Sequence, residues 1–195
     1  MQRGRLIYLM GASGSGKDSL IEAARHALHE RGIEVVRRVI TRSAEASGEQ
    51  AMGVSQEAFE QMVAQGRFAL NWSANGLLYG IPIEIEQALA AGRWVLMNGS
   101  RGYLPHALVK YPDLLVVLVT VNSEALRQRL FARGRETPAE IEARLARNDR
   151  LHHTGAAWRG EAPQVYSVDN STTLQAATAA LLTLIDQQRI SATED

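Results

Sequence analysis

The sequence of 195 residues contains no cysteine, which excludes disulfides, thiolate catalysis and thiolate-bound zinc or iron–sulfur sites. It also lacks an excess of charge, because 21 Lys and Arg residues balance 21 Asp and Glu residues. This balance gives no sign of a nucleic-acid or membrane-surface partner. No apolar run approaches the roughly 20 residues of a membrane-spanning helix, and residues 6–10 are too few for a signal-peptide core. We therefore expect a soluble, cytoplasmic protein.

Strand and helix patterns alternate along the chain. Apolar or β-branched runs predict strands at residues 6–10, 35–41, 67–72, 94–97, 114–121 and 165–168. Helical spacing of apolar residues predicts helices at 19–31, 56–64, 82–92, 123–133, 137–151 and 172–187. Pro82 and Ser123 are expected to begin or cap their helices, and Thr137 with Glu140 forms a capping-box pattern. The alternation predicts an α/β fold, with helices on both faces of a parallel sheet.

One segment has the phosphate-binding pattern Gly-x-x-x-x-Gly-Lys between a strand and a helix. Glycines let successive backbone N–H groups turn toward an anion, and the following helix adds its own free N–H groups. The lysine would reach the β- and γ-phosphates of a nucleotide. The alternative is a glycine-rich turn without a ligand. We predict an ATP site made of Gly11, Ala12, Ser13, Gly14, Ser15, Gly16, Lys17 and Asp18.

The residue after the lysine departs from that pattern, which usually has Ser or Thr there to hold Mg²⁺. Here it is Asp18. A carboxylate is also a hard oxygen ligand suited to Mg²⁺, either directly or through water. Asp18 is therefore the predicted metal ligand.

Several motifs resemble guanylate kinase and its relatives, in the same order along nearly the whole chain. They are the phosphate loop, Thr41-Arg42, Gly48-Glu49, Leu78-Tyr79-Gly80, Arg129-Leu130, Arg133-Gly134 and Glu142-Ala143-Arg144-Leu145. The resemblance implies a P-loop kinase fold with a five-stranded parallel core, an acceptor-binding lobe and an arginine-bearing lid. On this basis we expect a single domain spanning residues 1–195. Its core would be 1–42, 93–128 and 160–188, its acceptor lobe about 43–92, and its lid about 129–155.

The departures from guanylate kinase concern the acceptor. The positions of the carboxylates that read guanine hold Leu70 and Ser73, and the acidic strand-end motif is replaced by Asn98-Gly99-Ser100-Arg101. A site without partners for the polar edge of a base discriminates poorly for that base, which argues against GMP. The residues alone thus indicate a small phosphorylated acceptor other than GMP.

The variant motifs resemble a narrower group, the ribose 1,5-bisphosphate phosphokinases of phosphonate breakdown. The matching motifs are Gly16-Lys17-Asp18-Ser19-Leu20, Val39-Ile40-Thr41-Arg42, Tyr79-Gly80-Ile81-Pro82 and Asn98-Gly99-Ser100-Arg101. The resemblance implies that ATP phosphorylates ribose 1,5-bisphosphate to 5-phosphoribosyl 1-diphosphate. The partner would then be a sugar phosphate, without nucleic acid or membrane.

Three residues are expected to bind this acceptor: Arg42, Tyr79 and Arg101. Arginine binds phosphate through a planar fork of donors. Arg42 follows a predicted strand, Tyr79 offers a hydroxyl, and Arg101 is a candidate for the second phosphate of a bisphosphate. The alternatives are a surface position for Arg42 and a half-buried packing role for Tyr79.

The predicted lid is rich in arginine, which stabilises the charge of phosphoryl transfer when lid closure brings it in. With Lys17, we expect Arg133 and Arg144 to be catalytic, ahead of Arg129, Arg135 and Arg147. The alternative is a solvated helix pair with glutamate partners. Asp169 and Asn170 resemble the loop near the adenine in this fold, or else they cap the last helix.

Three rival functions remain at this point. One is a guanylate or other nucleoside-monophosphate kinase, and another is a peptide-binding scaffold, against which the intact Lys17 argues. The third is an NTPase switch, which needs a strand-end Asp that residues 114–121 lack. The sequence does not specify an oligomeric state, and a homodimer is compatible with it.

Overall fold

A computed structural model describes residues 3–42, 51–134, 136–153 and 163–194, without the side chains of 147–153 and 193–194. The strands are β1 (Leu6–Gly11), β2 (Ile33–Val35), β3 (Val39–Ile40), β4 (Met52–Gly53), β5 (Phe68–Ala74), β6 (Leu77–Pro82), β7 (Trp94–Asn98), β8 (Leu115–Thr120) and β9 (Val165–Asp169). The helices are α1 (Lys17–Glu30), α2 (Gln56–Ala64), α3 (Ile85–Ala90), α4 (Leu104–Lys110), α5 (Ser123–Arg133), α6 (Pro138–His153) and α7 (Leu174–Glu194), and a 3₁₀ turn (Arg101–Tyr103) precedes α4.

Five strands form a parallel sheet in the order β2-β7-β1-β8-β9. In β1, the side chains from Leu6 to Met10 are all buried, as expected for a parallel strand covered on both faces. The predicted α/β fold with a five-stranded parallel core is therefore confirmed. No helix in the described ranges has both the length and the apolar character needed to cross a membrane.

The chain divides into two compact units. The first unit comprises Met1–Leu9 and Arg25–Leu115, and it contains a second sheet in the order β4-β3-β6-β5. Strands β5 and β6 form an antiparallel hairpin whose turn has positive φ at Asn75 and Gly76. Adjacent Asn-Gly residues favour such a turn because both tolerate that backbone region. The single-domain division made from the sequence stays a prediction.

The second unit comprises Met10–Ala24 and Val116–Asp195. Here β8 and β9 pair in parallel, with Val116 opposite Val165. Helices α5 and α6 join through a buried cluster of Leu126, Leu130, Ile141 and Leu145. The predicted capping box of α6 is present, because the Glu140 carboxylate accepts hydrogen bonds from both the N–H and the hydroxyl of Thr137.

Three local predictions were wrong. The run at 35–41 is not one strand, because β2 joins the parallel sheet while β3 pairs with β6 and β4 in the other sheet. Pro82 ends β6 opposite Phe68 instead of beginning a helix, a strand position that needs no N–H donor. The N-cap of α5 is Asn122, whose side chain accepts from Ala125 N at 2.8 Å.

Glu86 makes interactions in the first unit whose contribution to stability depends on pH. Its carboxylate accepts from the Tyr111 hydroxyl at 2.6 Å and pairs with Lys110 and Arg3. Burial raises the pKa of Glu86, but these hydrogen bonds and charges outweigh burial and hold the pKa below its ordinary value. Its contribution to stability is thus present above the unfolded-state pKa and is lost as pH falls through the folded-state pKa.

We expect Glu86→Gln to lower the free energy of unfolding by about 1 kcal/mol at pH 7. The difference from the wild type should shrink as pH falls below the ordinary carboxyl pKa of about 4 and vanish once pH has passed the lower folded-state pKa, because the wild-type carboxyl is then neutral as well. Urea unfolding at both pH values measures this. The control is Glu84→Gln, which removes an exposed ion pair with Arg67 and should change little at either pH. A pH-independent loss for Glu86→Gln would contradict the assignment.

Candidate active site

The phosphate loop connects β1 to α1 in the second unit. Gly14 and Gly16 have φ of 93° and 85°, a region that residues with a Cβ adopt at a cost. A Cβ on Gly16 would lie 2.5 Å from Asn170 Nδ2, so glycine is required there for space as well. The Lys17 ammonium donates to the carbonyl oxygens of Gly11 and Ala12, at 2.9 and 3.1 Å. The ammonium therefore lies along the loop, and the N-terminus of α1 follows at once.

Two side chains hold the loop from beneath. Asn170 is 2% exposed, and its Nδ2 donates to the Ser15 carbonyl at 2.8 Å. Arg129 donates to the Asn170 carbonyl at 2.6 Å and to the Ser15 carbonyl at 3.5 Å. The Ser15 carbonyl thus has side-chain partners, as the carbonyls of a loop that binds an anion through its N–H groups require.

The arginines of the predicted lid are not equivalent. Arg144 Nη1 donates to Ser13 Oγ at 2.8 Å, while Nη2 pairs with Glu136. Arg133 lies exposed in the last turn of α5, whereas Arg129, four residues earlier, contacts the loop. Contact with the loop therefore favours Arg129 and Arg144. A catalytic role for Arg133 and Arg144 stays a prediction.

Three buried side-chain atoms around the loop have no hydrogen-bond partner among the described residues: Ser15 Oγ, Arg144 Nε and Asn170 Oδ1. Buried polar atoms in native proteins nearly always have a partner. Two of the three can donate, so the site fits a ligand rich in acceptor oxygens, such as a polyphosphate.

The metal prediction rests on one exposed carboxylate. Asp18 lies in the first turn of α1, directly after Lys17. The described residues contain no group of three or more His, Cys, Asp or Glu side chains suited to a metal ion. A Mg²⁺ ion at this loop would therefore take few protein ligands, as is usual where phosphate oxygens and water supply the rest.

Asp169 and Asn170 have separate roles in the described structure. Asp169 accepts from the N–H and the hydroxyl of Ser171, and Asn170 turns to the phosphate loop. Neither caps α7, because Thr173 Oγ1 accepts from Ala176 N at 3.1 Å. The helix-cap alternative is wrong, and contact with adenine stays a prediction.

The predicted acceptor residues lie in the first unit. Tyr79 is half-buried, with its ring stacked on Trp72 at 5.5 Å between centroids. Arg42 is half-buried just after β3, where the neighbouring Thr41 hydroxyl accepts from Leu78 N at 2.8 Å. Arg101 is half-buried in the 3₁₀ turn after β7.

Two residues near this group were not singled out from the sequence. Arg38 is buried, its guanidinium lies over the Tyr79 ring, and its Nη1 donates to the Asn98 carbonyl at 3.1 Å. The Tyr8 hydroxyl donates to the Ser100 carbonyl at 2.8 Å and accepts from Ser100 N at 3.0 Å. In the sequence, Arg38 differs from its surroundings as a charge that interrupts a β-branched run, and no pattern distinguishes Tyr8.

Some predictions fall outside the described residues. They are the motif Gly48-Glu49, Arg135 and the side chain of Arg147.

Curated relatives match almost the full chain. No family model matches it. The chain is 58% identical to ribose 1,5-bisphosphate phosphokinase PhnN of Azotobacter vinelandii over 182 residues, 93% of this chain and 96% of the relative. The proteins of the same name from Pseudomonas fluorescens and Pseudomonas paraeruginosa are 58% and 55% identical, covering 94% and 97% of this chain and 95% and 99% of theirs. The chain belongs to the ribose 1,5-bisphosphate phosphokinase family.

The fold of this family member also matches a solved structure. Guanylate kinase from Anaplasma phagocytophilum superposes with a TM-score of 0.66, covering 96% of this chain and 87% of that one at 16% identity. At that identity the match shows the fold alone. In this phosphokinase Leu70 is 3% exposed, and Ser73 lies exposed on β5.

Gly16→Ala should lower the ATP affinity of this phosphokinase at least about tenfold. The new Cβ would push Asn170 from the Ser15 carbonyl, in addition to the strain of positive φ. The control is Gly32→Ala, which has φ of 67° but no atom within 4 Å of the added Cβ. Calorimetric ATP titration of both variants isolates the contact with Asn170, and equal affinities would contradict it.

Tyr8→Phe should raise KM for the acceptor about tenfold and leave ATP affinity unchanged, because the lost hydroxyl holds the turn that carries Arg101, one of the predicted acceptor residues. Tyr111→Phe is the matched control, since it removes another hydrogen-bonded hydroxyl from the same unit, the one that donates to Glu86. Steady-state kinetics with varied acceptor would measure both variants. Similar acceptor KM values for the two would count against a positioning role for Tyr8.

Proposed function

We propose that this protein transfers the γ-phosphoryl group of ATP to ribose 1,5-bisphosphate, giving 5-phosphoribosyl 1-diphosphate and ADP in phosphonate degradation. The supporting observation is the phosphate loop, in which two positive-φ glycines, Lys17 and the Asn170–Arg129 support form an anion site at a helix N-terminus. Membership of the family supports the choice of acceptor. A cytoplasmic location belongs to the same proposal, while a homodimer remains a prediction.

The chemistry asks little of the protein beyond binding and charge stabilisation. An oxygen of the 1-phosphate attacks the γ-phosphorus of ATP, the bond from that phosphorus to the β–γ bridging oxygen breaks, and ADP leaves. The attacking oxygen is already ionised, so no general base is needed. Positioning and electrostatic stabilisation account for most of the catalysis in such transfers.

Residues of the phosphate loop and of the segments around it have proposed parts in that step. Lys17 and the loop N–H groups bind the β- and γ-phosphates, and Arg144, held by Ser13 and Glu136, stabilises the charge on the transferring group. Asp18 is proposed to hold Mg²⁺, which when bound offsets phosphate charge. Arg133 is proposed to stabilise the charge on the transferring group together with Arg144. Asp169 and Asn170 are proposed to lie near the adenine.

The acceptor would bind to Arg42, Tyr79 and Arg101 in the first unit. Two of the three are cationic, and Tyr79 adds a hydroxyl donor, which suits phosphate groups at both ends of a small sugar. Leu70 and Ser73 supply no carboxylate for the N–H groups of guanine. GMP is therefore the less supported acceptor.

Phosphorus NMR of the products decides between acceptors. With ATP, Mg²⁺ and ribose 1,5-bisphosphate we expect the coupled resonances of a new diphosphate ester beside those of ADP, and with GMP no GDP. Faster conversion of GMP, or no product from ribose 1,5-bisphosphate, would refute the proposal.

Lys17→Ala should lower turnover about 100-fold or more, because it removes the ammonium group that lies along the loop. Lys110→Ala is the matched control: Lys110 is the other lysine of the chain, it binds the Ala69 carbonyl and Glu86, and its loss should leave turnover nearly unchanged. Equal effects in a coupled ADP-release assay would contradict a specific role for Lys17 at the phosphates of ATP.

A further inference from the structure

Arg38 is a buried cation at the end of a parallel strand. It lies between β2 and β3 and is 9% exposed, which is unusual for arginine. Its Nη1 donates at 3.1 Å to the carbonyl of Asn98, the last residue of β7. Ligands of open α/β sheets bind outside the carboxyl ends of the strands. Arg38 therefore brings positive charge to the end of the strand where ligands of this fold class bind.

The position of Arg38 also connects it with the turn that carries Arg101. Burial raises the pKa of the Tyr8 hydroxyl, and the nearby charge of Arg38 acts in the opposite direction. The same hydroxyl makes both hydrogen bonds to the backbone of Ser100, the residue before Arg101. Arg38, Tyr8 and the Ser100–Arg101 turn thus form one group, which we call the β7-end cluster.

The Arg38 guanidinium lies over a series of stacked aromatic rings. Its Cζ lies 5.1 Å from the Tyr79 ring centroid, and Trp72 stacks on Tyr79 with an interplanar angle of 8°. Tyr103 stacks on Trp72 in turn, at 5.3 Å. A guanidinium carries its N–H groups in its own plane, the arrangement that binds phosphate oxygens in pairs.

The charge of the β7-end cluster suits an anion and not a base. Base recognition needs acceptors for ring N–H groups, but here the strand end carries Arg38 and Arg101, while β5 carries Leu70 and Ser73. We infer that Arg38, together with Arg101, binds the phosphate of the acceptor that does not react, the 5-phosphate of ribose 1,5-bisphosphate. Arg38 is then the residue that selects a doubly phosphorylated sugar. This inference rests on the proposed function.

A two-by-two comparison of enzyme variant and acceptor tests this. Calorimetry would measure binding of ribose 1,5-bisphosphate and of ribose 1-phosphate, which differ only in the 5-phosphate, to wild type and to Arg38→Met. We expect Arg38→Met to weaken binding of the bisphosphate about 100-fold and to leave that of ribose 1-phosphate within about threefold. Arg38→Lys, which keeps the charge without the fork, should recover part of the loss.

Arg37→Met is the matched control. Arg37 is the adjacent arginine, it is exposed, and it also donates to a backbone carbonyl, that of Ala51 at 3.1 Å. Its substitution should change neither affinity. Circular dichroism and ATP titration would establish that each variant folds. If Arg38→Met does not fold, Arg38→Lys carries the same comparison, with a smaller but still selective loss for the bisphosphate.

Two results would overturn the inference without touching the proposed function. An equal loss for both sugars would mean that Arg38 only supports Tyr79 and Asn98, and no loss for either would mean that it does not meet the acceptor. If wild type forms no product from ribose 1,5-bisphosphate in the NMR assay, the proposed function itself fails, and the inference fails with it.

Discussion

The phosphate loop depends on the Ser15 carbonyl, which accepts from Asn170 and is approached by Arg129. A loop that binds anions must turn its N–H groups inward and find other partners for its carbonyls. Asn170 supplies that partner from the end of β9, and Arg129 fixes Asn170 by binding its carbonyl at 2.6 Å. Gly16 has positive φ and no room for a Cβ beside Asn170. The loop therefore takes its shape from residues more than 100 positions away in the chain.

Arginine side chains bound to backbone carbonyls recur in both units. Arg129 binds the carbonyls of Ser15 and Asn170, and Arg38 binds that of Asn98. A carbonyl restrains a guanidinium through a hydrogen bond and carries no charge of its own. Glu136 is a different kind of partner for Arg144, because its carboxylate offsets the charge. That pairing has to weaken if Arg144 turns to a transferring phosphate.

The sequence predicted those features that nearby residues determine. The strand at Leu6–Gly11, the helix at Gln56–Ala64 and the phosphate loop follow from local spacing of apolar residues and glycines. Arg38 and Asn170 could not be assigned a partner in this way, because each binds a carbonyl brought near by strand pairing. The prediction for Pro82 was wrong for the same reason. The pairing of β6 with β5 determines the position of Pro82, and this pairing outweighed the preference of proline for the first turn of a helix. The partners of these three residues lie far away in the sequence, so no local sequence pattern could predict the structure at these positions.

The proposed choice of acceptor depends on the charges that the chain places at the ends of a few strands. A base offers N–H groups and needs carboxylates, whereas a second phosphate needs cations and hydroxyl donors. In the first unit, buried Leu70 removes one site for a carboxylate, and the stack of Tyr79, Trp72 and Tyr103 fills the region with rings that already face one another. A flat base would have to displace one of these rings to stack there. The loss of hydrogen-bond acceptors for a base and the gain of hydrogen-bond donors for a phosphate therefore both favour a phosphorylated substrate that has no base.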